Sequence, residues 1–284
     1  MGDEDIAWSV LVDGLAFAEG LRWRDGQLWF SDMHDDSVWR VSEDGTRHRV
    51  CDVTGRPSGL GWLPGGELLI VSMLDRKLLK LGADGKLTDY ADLSGVAPRR
   101  TNDMIVDEKG RAYVGNFGFD FDEDEPQATT SLALVTQGGQ VSAAGKDLLF
   151  PNGMVITADG STLIVAETFA ACLTAFDIDD AGNLSNKRSW ASLKDGAIPD
   201  GICIDAEDAV WVASPATGDC LRIREGGEIA DRVVTGRQAI ACALGGSKGD
   251  TLYIATAESV VREECRKARS GRIEMQGVAV PAGK

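Results

Sequence analysis

Short apolar runs and turn clusters alternate along nearly the whole chain. In each unit a small or polar residue opens an apolar run, a tight turn follows, and a second apolar run returns to a small or polar residue. Copies begin at Glu19 ("EGLRWRDGQLWFSD"), Ser58 ("SGLGWLPGGELLIVSM"), Asn102 ("NDMIVDEKGRAYVGN"), Asn152 ("NGMVITADGSTLIVAET") and Asp200 ("DGICIDAEDAVWVAS"). A weaker copy begins at Ala241 ("ACALGGSKGDTLYIAT"), and the spacings between starts are 39, 44, 50, 48 and 41 residues. Short apolar runs bounded by Gly, Asp and Pro predict β-hairpins, and turns such as RDG, PGG, EKG and ADG use residues that accept positive φ.

Behind most hairpins comes a second pair of strands, as in "VWRVSEDGTRHRV", "LLKLGADGKLTDY" and "CLRIREGGEIADRVV". Four strands per repeat of about forty to fifty residues is the arithmetic of a β-propeller. Six copies fill the chain, which predicts an all-β fold: one six-bladed propeller with four-stranded blades over residues 1–284. The leading run "WSVLVDG" (8–14) is expected to complete the blade built from the sixth hairpin and "GRIEMQGVAV" (271–280). Such closure removes the sheet edges that invite aggregation. Helical periodicity is confined to a short stretch near "SVVREECRKA" (259–268).

Composition agrees with a turn-rich globular chain, with 34 glycines and 8 prolines in 284 residues. Acidic residues outnumber basic ones by 45 to 29, a formal charge of −16. That surface repels nucleic acid and anionic membranes and favours cations. No run approaches the ~20 apolar residues of a membrane span. The longest, "LLIVSML" (68–74), reads as a buried strand. The acidic start "MGDEDIAW" has neither an apolar leader segment nor the Ser or Thr of a myristoylation signal. Six cysteines (51, 172, 203, 220, 242, 265) have no paired spacing and read as reduced thiols of a cytoplasmic protein.

The first strand of each propeller blade lines the central channel, so the repeat starts face one axis. Four of them carry side-chain oxygen donors of carboxylate or carboxamide type: Glu19, Asn102, Asn152 and Asp200. Two carboxylates so placed repel unless a cation lies between them. Carboxylates with carboxamides suit a hard divalent ion such as Ca²⁺ or Mg²⁺, and the lack of Cys and His argues against a zinc-type site. The competing reading, that these side chains only satisfy backbone groups at strand starts, explains one position better than four in register.

At these residues the sequence resembles the SMP-30/gluconolactonase/luciferin-regenerating-enzyme family. The carriers are "AEGLRW", "RRTNDMIVDEKG", "FPNGMVITADGSTLIVAET", "IPDGICID" and "GRIEMQGVAVPAG". The resemblance implies a six-bladed propeller with one divalent metal, Ca²⁺ or otherwise Zn²⁺, Mn²⁺ or Mg²⁺, and hydrolysis of a lactone. It implies Glu19, Asn152 and Asp200 as metal ligands and Asp200 as general base. It further implies Asn102 as a substrate contact that reaches the metal through water, and Arg100 as the arginine that contacts substrate in sugar-lactone members.

The chain departs from that pattern in reading "EGL" for the common "EGP" and "NDM" for "NDG". "GNFGFD" brings Phe117 and Phe119 to the mouth, with Met33, Met73, Leu74, Phe150 and Phe169 as further apolar candidates. Hydroxyls of a sugar would go unpaired against such walls, which points to a less polar lactone or ester. His34 in the mouth loop "MHDDS" reads first as a solvated loop histidine beside Asp35 and Asp36, with a substrate contact or proton shuttle as the alternative. No GxSxG elbow offers a covalent nucleophile. "DFDEDE" (120–125) fails as an EF-hand loop because Glu125 takes the glycine position and Ser131 the final glutamate position. "DIDDAG" (177–182) fails because Arg188 takes that last position, and it reads as a hairpin turn. Two rivals to a lactone hydrolase are an organophosphate hydrolase and a non-catalytic metal-binding propeller.

Overall fold

The computed structural model describes residues 8–283. Six four-stranded sheets succeed one another along the chain as the blades of a six-bladed β-propeller. Blade one runs outward from the channel as Ala18–Arg24, Gln27–Asp32, Ser37–Ser42 and Arg47–Asp52. The inner strands of blades two to five are Pro57–Trp62, Thr101–Val106, Pro151–Ile156 and Ile202–Ile204. Blade six takes Gln238–Gly245, Thr251–Ala257 and Gly271–Gly277 from late in the chain and Ser9–Leu15 from its beginning. Ser9 pairs with Met275 and Leu15 with Gly271, so the ring closes as the sequence predicts. The helical stretch becomes the helix Arg262–Ala268, inserted within blade six. "DIDDAG" is a hairpin turn in which Gly182 N donates to Asp179 O. No helix among the described residues is long and apolar enough to cross a membrane. The first seven residues, read above as neither leader nor lipidation signal, lie outside the described residues.

A blade is buried on both faces, so its middle strands are apolar at successive positions. In blade two, Leu68 and Ile70 pack with Val38 of blade one, while Leu69 and Val71 pack with Met104 and Val114 of blade three. Further cores join Tyr113 to Phe176, Val155 to Val210, and Trp211 to Leu252. The core that closes the ring joins Ile240, Tyr253 and Ile273 of blade six to Phe17, Leu28 and Phe30 of blade one.

At the channel the inner strands approach more closely than a side chain permits. A Cβ on Gly20 would lie 2.5 Å from Ser58 O, and one on Gly153 would lie 2.5 Å from Ile202 N. These glycines directly follow Glu19 and Asn152. The pairing of a polar residue with glycine at the repeat start therefore sets both the chemistry and the width of the channel.

The closing strand buries Val12 and Leu15. Its removal should cost at least about 3 kcal/mol, several degrees of Tm, and leave an open sheet edge. Thermal unfolding and gel filtration of a chain lacking residues 1–15 check this; an unchanged Tm in a monodisperse protein would contradict the closure.

Candidate metal centre and mouth pocket

Glu19, Asn102, Asn152 and Asp200 all line one cavity, as the repeat register predicts. Asp200 lies just ahead of its strand and is pinned between blades by its backbone: its N–H donates to Ala213 O at 3.0 Å and its carbonyl accepts from Gly153 N at 3.1 Å. Asn152 Nδ2 donates to Thr168 Oγ1 at 3.2 Å, and Thr168 Oγ1 donates to Pro199 O at 2.8 Å. This turns Asn152 Oδ1 away from Thr168. Ser58 Oγ donates to Asn102 Oδ1 at 3.4 Å, leaving the amide Nδ2 of Asn102 for other partners.

The ends of the second strands hold the segments that lead into the inner strands. Asp32 accepts from Phe17 N at 2.7 Å, Glu167 from Leu149 N at 2.6 Å, and Ser214 Oγ from Ile198 N at 3.2 Å. Each donor precedes its channel residue by two or three positions. Asp32, Glu167 and Ser214 are buried and serve as anchors.

Burial raises the Glu19 carboxyl well above its ordinary value, and the charges of Asp200 and Asp103 push the same way. Burial likewise pushes Asp200 up to about 8; the Asn152 amide opposes this and the charge of Asp103 adds to it. Asp200 Oδ1 is buried without a hydrogen-bond partner. Asp103, which the sequence reading did not single out, is satisfied separately. It accepts from Arg22 Nη2 and from Met104 N, each at 2.8 Å. Arg22 also donates to Met104 O at 2.6 Å, so its side chain links blade one to blade three. No ion pair among the described residues reaches Glu19 or Asp200.

These residues fit a hard cation. An orphaned carboxylate oxygen of Asp200, the buried Glu19 carboxylate and the Asn152 carboxamide oxygen form an all-oxygen donor set. No group of three or more His, Cys, Asp or Glu with metal-holding geometry occurs among the described residues, so carboxamides must complete any such site.

Above this floor opens a pocket of about 780 Å³. Phe117, Phe150 and Phe169 form one wall, with Phe117 stacked on Phe150 at 4.2 Å and Phe150 edge-on to Phe169 at 4.9 Å. Met33 and Met73 line it as expected, together with Phe17, Phe121, Ile198 and Val260, which the sequence reading did not place there. Phe119 does not line the pocket: it is buried behind the wall, 5.6 Å from Phe169 and 5.8 Å from Phe150. Leu74 is exposed outside it. Arg100 lies at the rim with its charge met, donating to Asp122 at 2.7 Å and Asp120 at 2.8 Å.

The solvated setting expected for His34 is overturned. The ring is buried 4.8 Å from Phe17 and faces the pocket, because the segment ahead of helix Arg262–Ala268 folds over it. His34 Nε2 lies 3.1 Å from Val260 O, so the neutral ring donates there and Nδ1, buried and unpartnered, is left as an acceptor. Burial lowers its pKa to about 4.

The fold and the oxygen-lined floor define a six-bladed propeller with a candidate cation centre. A model of the SMP-30/Gluconolactonase/LRE-like region matches residues 17–258, and the chain belongs to that family. It is 30% identical to regucalcin of Danio rerio over 175 residues, 60% of this chain and 59% of that protein. The chain thus matches less than two thirds of that regucalcin's length. It is 26% identical to pentonolactonase XacC of Haloferax volcanii over 245 residues, 82% of this chain and 81% of that one. Among solved structures, the calcium-binding protein regucalcin from Agrobacterium tumefaciens superposes with a TM-score of 0.81 at 21% identity, covering 97% of this chain and 95% of that chain. At that identity the likeness concerns the fold.

Burial raises both floor carboxyls, Asp200 to about 8, so the metal-free floor holds its protons more tightly than free carboxyls do. Binding of a divalent cation at pH 7 should release about one proton or more. Calorimetry in buffers of different ionisation enthalpy measures that number, and zero would contradict the site. A raised acid pKa also favours the folded state below the unfolded value and loses that contribution as pH rises through the folded value. The contribution of Asp200 to metal-free stability should therefore fall between about pH 4 and 8. Thermal scans of wild type and Asp200→Asn across that range check the sign.

Proposed function

We propose that the protein hydrolyses a lactone at a divalent cation, Ca²⁺, held by Glu19, Asn152 and Asp200. The observation that carries this reading is the pair of buried carboxylates, without an ion-pair partner among the described residues, at the floor of a largely apolar pocket. The family, and a relative named as a pentonolactonase, support the reaction class. The relatives named regucalcin, one described as calcium-binding, support the ion.

When bound, the cation would supply Lewis acidity toward the ring carbonyl and offset the two carboxylates. Asp200, fixed through its own backbone, is placed to accept a proton from the attacking water through an oxygen not used as a ligand. Asn102, its Oδ1 taken by Ser58, has Nδ2 to orient the carbonyl or that water. Ring opening adds one water and breaks the acyl C–O bond, giving a hydroxy acid.

The walls favour one class of substrate. Phe17, Phe117, Phe121, Phe150 and Phe169 offer sugar hydroxyls few partners, and each unpaired hydroxyl weakens binding. A lactone or ester less polar than a sugar lactone fits better. Six free thiols support a reducing, cytoplasmic setting.

Asp200→Asn should lower kcat by about 10²-fold or more while a weakened cation site persists. Glu19→Gln should weaken cation affinity about tenfold or more before it affects the step itself. Proton-release assays on γ-, δ- and aromatic lactones, with Ca²⁺, Mn²⁺, Mg²⁺ or Zn²⁺ added separately to metal-stripped protein, test the whole reading. No turnover with any pairing refutes it, and turnover confined to sugar lactones refutes the apolar substrate.

A further inference from the structure

Three guanidinium groups border the mouth pocket: Arg56, Arg100 and Arg262. Two are neutralised, Arg100 by Asp120 and Asp122, and Arg262 by Asp36 at 2.6 Å. Arg56 has no ion pair among the described residues, and its Nε is buried without a hydrogen-bond partner. Burial, then the charges of Arg262 and Arg100, hold its pKa below the usual arginine value, against the weaker pull of Asp122 and Asp36, which make no ion pair with it. A guanidinium so placed lacks an anion.

Its position is built. Arg56 N donates to Val53 O at 3.1 Å, and Arg56 O accepts from Met73 N at 2.9 Å. Gly55 O accepts from Leu74 N at 2.9 Å. A Cβ on Gly55 would lie 2.1 Å from both Ser72 Oγ and Asp75 Oδ2, so the two loops are in direct contact. Arg56 is left-handed, φ 63°, directly ahead of Pro57, a conformation unfavourable for arginine that persists only where the surroundings enforce it. Phe150, ahead of Pro151, has φ 57° and also lines the pocket. At both places a left-handed residue before the inner strand turns a side chain toward the cavity. In Arg56 that side chain is an unneutralised cation.

We infer that Arg56 is an anion subsite, and that the substrate is an apolar lactone carrying a carboxylate away from the reacting ring. The inference rests on the lactonase reading above. A carboxylate could reach Arg56 from such a substituent or from the hydroxy acid that ring opening produces, and two measurements separate these sources.

The first needs no turnover. Calorimetry with metal-free protein compares 4-phenylbutyrate with its neutral amide. Wild type should bind the acid about tenfold more tightly, Arg56→Gln should erase the preference, and Arg56→Lys should keep part of it. Equal affinity of wild type for acid and amide overturns the subsite. An unchanged melting temperature of Arg56→Gln shows that the variant is folded; if it fails to fold, the salt dependence of the wild-type preference decides, and a preference insensitive to salt overturns the proposal.

The second uses Ca²⁺-loaded protein and a γ-lactone bearing a carboxyalkyl chain, against its methyl ester. A KM about tenfold lower for the carboxylate in wild type, lost in Arg56→Gln, supports the substrate class. Equal KM values, with product inhibition relieved in Arg56→Gln, assign the anion to the product and overturn it. No hydrolysis of either compound overturns this substrate class, the lactonase reading itself being decided by the lactone and metal screen above, while the binding measurement still decides whether Arg56 is an anion subsite.

Discussion

Two carboxylates, Glu19 and Asp200, share the buried floor of a channel, and among the described residues neither has an ion-pair partner, Glu19 feeling the charge of Arg22 only from beyond contact. Uncompensated burial of an ion costs several kcal/mol. The nearest guanidinium, Arg22, bonds Asp103 and the carbonyl of Met104 instead. The floor is thus built to remain short of positive charge. It keeps that form because the inner strands are held at fixed distances by glycines where no Cβ fits. Ring closure by the first strand onto the last blade ties the arrangement together.

The blades and the floor were legible in the sequence for the same reason. A repeat places equivalent backbone positions around one axis, so a side chain at the repeat start has a known direction. Glu19, Asn102, Asn152 and Asp200 follow from spacing because each is the first residue of its motif copy. Contacts between non-equivalent positions carried no such signal. Arg22 reaches Asp103 across non-neighbouring blades, and nothing in "LRW" or "NDM" taken separately announces it. His34 is buried by Val260, more than two hundred residues later in the chain. In "GNFGFDF" strand alternation has ended, so the pattern could not say that Phe119 turns inward while Phe117 and Phe121 face the cavity.

The second-strand ends teach the converse. The topology brings their small and acidic residues to the same end of the blades as the channel residues. Asp32 and Glu167 instead accept backbone N–H groups of the segments entering the inner strands. An acid near a site holds the floor in place when its oxygens are already filled, and it is open to chemistry when one is left over. By that criterion Asp200 Oδ1 differs from every oxygen of Asp32 and Glu167.

The same test of unfilled groups orders the pocket from floor to rim. Among the described residues its floor carboxyls have no ion pair, much of its wall is aromatic, and Arg56 at its border has no ion pair either. On a chain of net charge −16 the long-range field disfavours anions. Screening confines that field to about 10 Å at ordinary salt, whereas Arg56 acts at contact distance within an apolar enclosure. Selection at this site therefore rests on short-range contacts, with opposite charges missing at two places in one cavity rich in aromatic side chains. A ligand that fits all of it presents an electron-rich carbonyl at one end, an apolar body between, and an anion at the other.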